Sequence, residues 1–106
     1  MVLQEYLQEL NKITLLTPKE EWALWKSYKD EGNMESRSRL IEQYQPLVFK
    51  EAMRWHIPED MLLDAIQEGT VGLIEAAERF DYTRHVAFSL FAVHRIRGRM
   101  VEYLAG

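Results

Sequence analysis

Apolar residues recur at steps of three and four along almost the whole chain, and only three prolines and five glycines interrupt the pattern. This spacing is typical of helices that each bury one face. The pattern predicts an all-α fold, a compact bundle of about five helices joined by short turns. The predicted segments are residues 3–10, 17–32, 33–56, 61–80 and 88–104.

The second and third segments carry recognisable end signals. Residues 17–20, Thr-Pro-Lys-Glu, supply a capping hydroxyl, a proline at the first helical position and a glutamate three residues after the cap, which is the reciprocal capping box. Gly32 is placed to end that helix in a left-handed conformation, and Asn33 can cap the next helix. Pro46 removes a backbone donor inside the third segment, so we expect a kink there.

The segment 61–80 has a second stripe beside its buried face, and this stripe mixes apolar and acidic side chains. An ordinary solvated face with a few aliphatic residues explains such a stripe. A surface that binds a basic partner also explains it, because Leu63, Val71 and Ile74 lie outside the core face. The stripe comprises Leu63, Asp64, Gln67, Glu68, Thr70, Val71 and Ile74.

The last segment presents rings and arginines away from its core side. Each residue of a helix is rotated by about 100° about the helix axis from the one before it. Measured from Phe88, the core positions of this segment lie at angles between about 40° and 120°, and an outer strip lies between about 220° and 300°. The outer strip holds Phe91, His94, Gly98 and Val101, with Arg95 and Arg99 on one edge and Arg97 on the other. Rings that stack on bases beside guanidinium groups that hold phosphates suit a single-stranded nucleic acid. The alternatives are a core ring for Phe91 and an ordinary surface residue for His94.

The net charge of the whole chain argues against nucleic-acid binding, whereas the distribution of charge along the chain argues for it. The 106 residues carry 13 basic and 17 acidic side chains, a net charge of -4. Residues 1–78 hold 8 basic and 15 acidic side chains, whereas residues 79–100 hold five arginines and one aspartate. An acidic body with one basic, ring-bearing helix suits a protein that binds nucleic acid on one surface and a basic protein on another.

Several classes of protein are not indicated. There is no cysteine, so disulfide scaffolds are excluded. The longest stretch without charged residues, 85–94, is far shorter than the roughly 18 residues of a membrane span, and no export signal is apparent. His56, His85 and His94 have no catalytic or metal-binding arrangement around them. We therefore expect a cytoplasmic protein with no membrane contact, enzymatic activity, metal or cofactor.

Three sequence blocks, taken together, are specific for one family. They are DAIQEGTVGL at residues 64–73, AAERFD at residues 76–81, and FSLFA with RIRG at residues 88–92 and 95–98. In order and spacing they resemble region 2 of bacterial sigma-70 family factors, and the last stretch looks most like the flagellar and sporulation-type members. The resemblance implies one region 2 domain over residues 1–106, with leading helices in 1–32 and the region 2 core in 33–106.

The resemblance implies two binding surfaces. One docks on the clamp coiled coil of the largest subunit of core RNA polymerase. It maps to Leu63, Asp64, Ile66, Gln67, Glu68, Thr70 and Ile74. The other reads the single-stranded non-template strand of the promoter minus-ten element. It maps to Arg84, Ser89, Phe91, His94, Arg95, Arg97, Gly98, Arg99 and Val101.

Within the second surface, the resemblance implies a pocket for a flipped adenine at Arg84, Phe91 and His94. It implies a second, downstream pocket at Ser89 and Glu68. Phe88 is expected in the core.

The chain also departs from the family pattern. His94 and Arg95 stand where housekeeping members carry paired tryptophans, and Val86 stands where they carry an aromatic residue. We expect no helix-turn-helix domain for the minus-thirty-five element after Gly106. We therefore expect either an excised fragment or a stand-alone region 2 that works with a separate helix-turn-helix chain. The alternative function is a polymerase-clamp-binding regulator without independent promoter recognition, and an anti-sigma factor is a further expected partner.

Overall fold

The computed structural model describes residues 2–106, and within them every regular element is helical. Six α-helices and one turn of 3₁₀ helix follow one another along the chain. They are α1 (Leu3–Asn11), α2 (Pro18–Glu31), α3 (Met34–Gln43), α4 (Gln45–Met53), α5 (Glu59–Arg79), the 3₁₀ turn (Tyr82–Arg84) and α6 (Phe88–Ala105). The predicted all-α fold is confirmed.

The helix boundaries follow the predicted caps. Thr17 and Glu20 form both hydrogen bonds of the capping box, and Gly32 ends α2 with a φ of 68°. The Asn33 side chain accepts hydrogen bonds from the backbone amides of Glu35 and Ser36, in the first turn of α3. The kink expected at Pro46 is a complete break, because Tyr44 leaves helical geometry between α3 and α4. The segment predicted as one helix is therefore two, and the second ends at Met53.

The long helices α5 and α6 pack against each other over most of their length. Gly72 allows this approach, because a Cβ built there would lie 2.5 Å from the backbone oxygen of Arg95. Gly69 faces the buried side chain of Met100 in the same way. The α5–α6 pair therefore fixes which face of α6 points outward.

A cluster of aromatic rings joins α2, the junction of α3 and α4, and the end of α5 to the start of α6. The Trp25 ring lies 4.8 Å from Phe80 and 4.8 Å from Phe88, centroid to centroid. Tyr44 meets Phe88 edge to face at 4.8 Å, and its hydroxyl donates to Glu21 at 2.6 Å. Burial raises the pKa of Tyr44 well above its usual value, and the hydrogen bond to Glu21 adds to this. Phe88 is buried, as expected, and it anchors the amino-terminal end of α6.

No helix in the described part of the chain is both long and apolar enough to span a bilayer.

Candidate nucleic-acid and partner interfaces

The outward face of α6 borders a groove of about 760 Å³, which we call the α6 groove. Five of the residues predicted to bind nucleic acid line it together. These are Phe91, His94, Arg95, Gly98 and Arg99. Leu90, Glu75 and Glu102 complete the lining, and the sequence prediction did not include them. The groove is wide and open to solvent along α6, which is the form that a strand of nucleic acid needs.

Phe91 combines the two roles considered for it. Its ring centroid lies 5.8 Å from that of Phe80, so one side of the ring is held against the end of α5. The side chain is nevertheless 42% exposed. A ring fixed from behind and open in front loses little rotamer freedom when a base stacks on it.

The arginines of the α6 groove are paired with carboxylates of α5. Arg99 donates from Nε and Nη2 to the two oxygens of Glu75, at 3.1 and 2.8 Å. Arg95 lies 3.9 Å from Glu75, and Arg99 also lies 3.8 Å from Glu68. The hydrogen bonds from Arg99 hold the pKa of Glu75 below its usual value. Part of the positive charge counted along α6 is therefore neutralised inside the molecule.

Arg97 lies on the other edge of α6 and pairs with a buried carboxylate. Its Nε donates to Glu51 Oε1 at 2.9 Å, and Glu51 is only 2% exposed. The sequence prediction missed Glu51, although an acidic residue three positions after Val48 on the apolar side of α4 was a signal. The pairing fixes the direction of the Arg97 guanidinium.

Three of the other residues predicted to contact DNA do not line the α6 groove. Arg84 is exposed in the 3₁₀ turn and is not among the residues that line the α6 groove. Val101 is exposed on the outer strip, one turn beyond Gly98 and two turns beyond His94. Ser89 is half-buried in the first turn of α6.

The structure does not bring Ser89 and Glu68 into one pocket. Gly69, beside Glu68, is level with Met100 of α6. Ser89 lies eleven residues before Met100 on the same helix, which is about 16 Å along its axis. The downstream pocket predicted from these two residues is therefore not formed by them together.

An aromatic pair beside Val86 was not predicted. His85 adopts a left-handed conformation with φ of 57°, and its ring stacks on Trp22 with centroids 5.0 Å apart and an angle of 6°. Both rings line a recess of about 440 Å³ that also contains Val86. No sequence signal identified this pair, because Trp22 and His85 meet only through the packing of α2 against the 3₁₀ turn.

The predicted partner-binding residues lie on one side of α5, with one exception. Asp64 and Gln67 are exposed, and Leu63, Glu68, Thr70 and Ile74 are half-buried. Ile66 is a correction, because it is 1% exposed and packs in the core, so its side chain offers a partner almost no surface. Val71 is exposed beside this group. We call the set Leu63, Asp64, Gln67, Glu68, Thr70, Val71 and Ile74 the α5 face.

A second groove, of about 480 Å³, runs along the α5 face between α1 and α3. Four residues of α5 line one wall, and they are Leu63, Ile66, Gln67 and Thr70. Thr70 is held there, since its hydroxyl donates to the carbonyl of Ile66 at 3.0 Å and accepts from Gln45 at 3.2 Å. The α5 face is therefore an ordered surface beside a partly apolar groove.

The described residues contain no cluster of three or more histidine, aspartate or glutamate side chains that could hold a metal ion. The two grooves are lined by side chains suited to binding macromolecules by stacking, ion pairing and apolar contact.

The sequence comparisons place the chain in a family. Residues 40–106 match Sigma-70 region 2, and the chain belongs to this family. It is 38% identical over 100 residues to RNA polymerase sigma factor SigA of Listeria monocytogenes, a match that covers 94% of this chain and 26% of that protein.

Further relatives match over nearly the same residues. SigA of Clostridium acetobutylicum is 38% identical over 100 residues, covering 94% of this chain and 26% of that protein. RNA polymerase sigma factor RpoH of Rhizobium radiobacter is 31% identical over 102 residues, covering 96% of this chain and 34% of that protein. The chain thus spans about a quarter to a third of the length of these relatives. The resemblance to flagellar and sporulation-type members stays a prediction.

Proposed function

We propose that this chain acts in transcription initiation as a sigma region 2 domain. The α5 face binds the clamp coiled coil of core RNA polymerase, and the α6 groove holds the non-template strand of the promoter minus-ten element. The observation that carries the proposal is the α6 groove itself. The chain belongs to the Sigma-70 region 2 family. In its α6 groove, the Phe91 ring packs on Phe80 with one side and is open to solvent on the other. Beside this ring lie His94, Arg95, Gly98 and Arg99.

The mechanism is the selection of a deformable sequence, without bond chemistry. Taking a base out of a duplex costs a few kcal/mol, and least where pairing is weak. Stacking on a protein ring returns about 1–3 kcal/mol per base. Phe91 provides the stacking surface, His94 borders it, and Arg84 provides a cation at the same end of α6. An A·T-rich element is therefore captured in its open form.

The carboxylates of α5 set the strength of this binding. Glu75 and Glu68 compete with phosphates for Arg95 and Arg99. A strand that enters the α6 groove must exchange these ion pairs for phosphate contacts, so the net electrostatic gain is small. We infer that the chain alone binds single-stranded DNA weakly and that core polymerase contributes most of the complex's stability.

The same ion pairs favour a second candidate function. A regulator that binds the clamp through the α5 face, with no productive recognition of DNA, needs no free arginines on α6. Val86 stands where an aromatic residue is expected for DNA recognition, and its side chain is 54% exposed. This agrees with the alternative function. Both functions share the α5 face and the cytoplasmic location that transcription requires.

Strand selectivity separates the two functions. A fluorescein-labelled single strand that carries the minus-ten element is titrated with the chain in the presence of core polymerase, and its fluorescence anisotropy is measured. A strand of the same composition in scrambled order is the control. We expect tighter binding of the minus-ten strand, and affinity that falls as salt rises. Equal affinities for the two strands would contradict promoter recognition and support the clamp-binding regulator.

A further inference from the structure

A small concave site lies where the end of α4 meets α6, on the edge of α6 away from Phe91. Its volume is about 260 Å³, and its lining within the described residues consists of Arg54, Trp55 and Arg97. Two guanidinium groups and an indole are therefore gathered around one recess. Arg54 and Trp55 were not among the residues that the sequence assigned to any function.

Glu51 orders both guanidinium groups of this site. Arg97 donates from Nε to Oε1 at 2.9 Å, and Arg54 donates from Nη1 to Oε2 at 3.4 Å. The carboxylate is buried, and the Arg54 side chain is 62% exposed. One negative charge is thus shared by two positive charges, so the site keeps a net positive charge that faces solvent.

The donors left over suit a phosphate group. Within residues 2–106, Arg97 forms its hydrogen bond through Nε, and its two terminal nitrogens carry donors that no protein acceptor uses. This differs from Arg99, whose guanidinium fork is engaged by Glu75. Ordered guanidinium groups bind phosphate oxygens with good geometry.

The indole supplies the second half of a nucleotide site. Trp55 follows the end of α4 and is 36% exposed, so part of its ring is open to solvent. Indole faces stack on any base. We propose that this site binds one nucleotide unit of a single DNA strand, with the phosphate between Arg54 and Arg97 and the base on Trp55.

The position of the site favours a strand over a free nucleotide. Val101 lies one turn after Arg97, about 40° around α6, and it is exposed. Gly98 continues this surface into the α6 groove. A strand in the groove can therefore pass over Val101 and reach Arg97. The inference rests on the proposed function, since it extends the path of the same strand.

The test uses the chain with core polymerase and the labelled strands described above. Trp55→Leu is expected to weaken binding on the order of tenfold, because one stacked base is lost, whereas Trp55→Phe keeps a ring and most of the affinity. Arg54→Gln is expected to reduce the salt dependence by about one phosphate contact. Arg39→Gln removes the same charge from an exposed position on α3 and should change neither quantity.

The outcomes distinguish this site from the proposed function. Stacking on Trp55 reads no base edge, so the losses should be equal for minus-ten and scrambled strands, whereas promoter recognition is judged by the ratio of their affinities. If Trp55→Leu binds both strands as tightly as the unmodified chain, with the same melting temperature, the site is refuted. Displacement of the strand by an equal concentration of dAMP would refute strand binding there and assign the recess to free nucleotides.

Discussion

At the scale of single residues, two glycines that both lie inside long helices have opposite roles. Gly72 faces the backbone of Arg95, and a Cβ there would lie 2.5 Å from its oxygen. Gly98 lies on the outer face of α6, where a Cβ would meet nothing within 4 Å. The close packing of α5 on α6 thus depends on Gly72, while Gly98 leaves open space on the side proposed to bind nucleic acid.

We expect Gly72→Ala to destabilise the fold by about 1–3 kcal/mol, because the helices must move apart to admit the methyl group. Gly98→Ala is the matched control and should stabilise the fold by about 0.5–1 kcal/mol, the ordinary preference of a helix interior for alanine. Urea denaturation followed by circular dichroism measures both changes. Equal stability of the two variants would contradict the packing described for Gly72.

At the scale of helices, the ion pairs between α5 and α6 make the stability of the fold depend on pH. Hydrogen bonds from Arg99 hold the pKa of Glu75 below its usual value of 4.5. Since the folded-state pKa is the lower one, the stabilisation is present above pH 4.5 and is lost as the pH falls through the folded-state value.

We therefore expect Glu75→Gln to flatten the fall in melting temperature below pH 4.5, and to be somewhat less stable than the unmodified chain at neutral pH. Glu31→Gln, an exposed change at the end of α2, should follow the unmodified profile. Thermal unfolding from pH 3 to pH 7 gives the comparison. A Glu75→Gln profile that matches the unmodified chain would show that the pair adds nothing to stability.

The α5 face gives a prediction of its own. Asp64→Ala removes an exposed carboxylate that a basic partner would contact, so capture of the isolated clamp coiled coil should weaken several-fold. The melting temperature should change little, because within residues 2–106 the carboxylate accepts one hydrogen bond, from the Tyr103 hydroxyl, and this bond is long at 3.4 Å. Surface plasmon resonance with the immobilised coiled coil measures the dissociation constant. Glu31→Ala serves as the charge-matched control, and an unchanged constant for Asp64→Ala would remove that residue from the interface.

Local sequence signals predicted the helices but not the long-range ion pairs. The capping box at Thr17, the end at Gly32 and the interruption at Pro46 each depend on a few neighbouring residues, so the sequence shows them directly. The partners of Arg97 and Arg99 come from α4 and α5, 46 and 24 residues away. Helix periodicity placed these arginines on the correct edges of α6, but it carries no information on which carboxylate of another helix meets them.

At the scale of the whole molecule, the charge is less divided than the sequence count suggested. The acidic body and the basic last helix are connected by Glu51, Glu68 and Glu75, which lie against the arginines of α6. The exposed face of α6 is therefore a stacking surface with a moderate positive charge. This favours recognition of bases over unspecific attraction to phosphates, and it makes the aromatic residues central to the proposed function.

One measurement tests this account most directly. Binding of a minus-ten strand in the presence of core polymerase is compared with binding of the same strand in which cytosine replaces the adenine assigned to the Phe91 pocket. We expect the unmodified chain to discriminate by roughly tenfold, because a flipped base held on Phe91 is also read by hydrogen bonds to its edge, and cytosine presents a different edge from adenine. Phe91→Ala should bring that ratio close to one with an unchanged salt slope, and Arg97→Ala should reduce the slope while keeping the ratio. A ratio of one for the unmodified chain, or a ratio that Phe91→Ala leaves intact, would contradict base recognition by the outer face of α6.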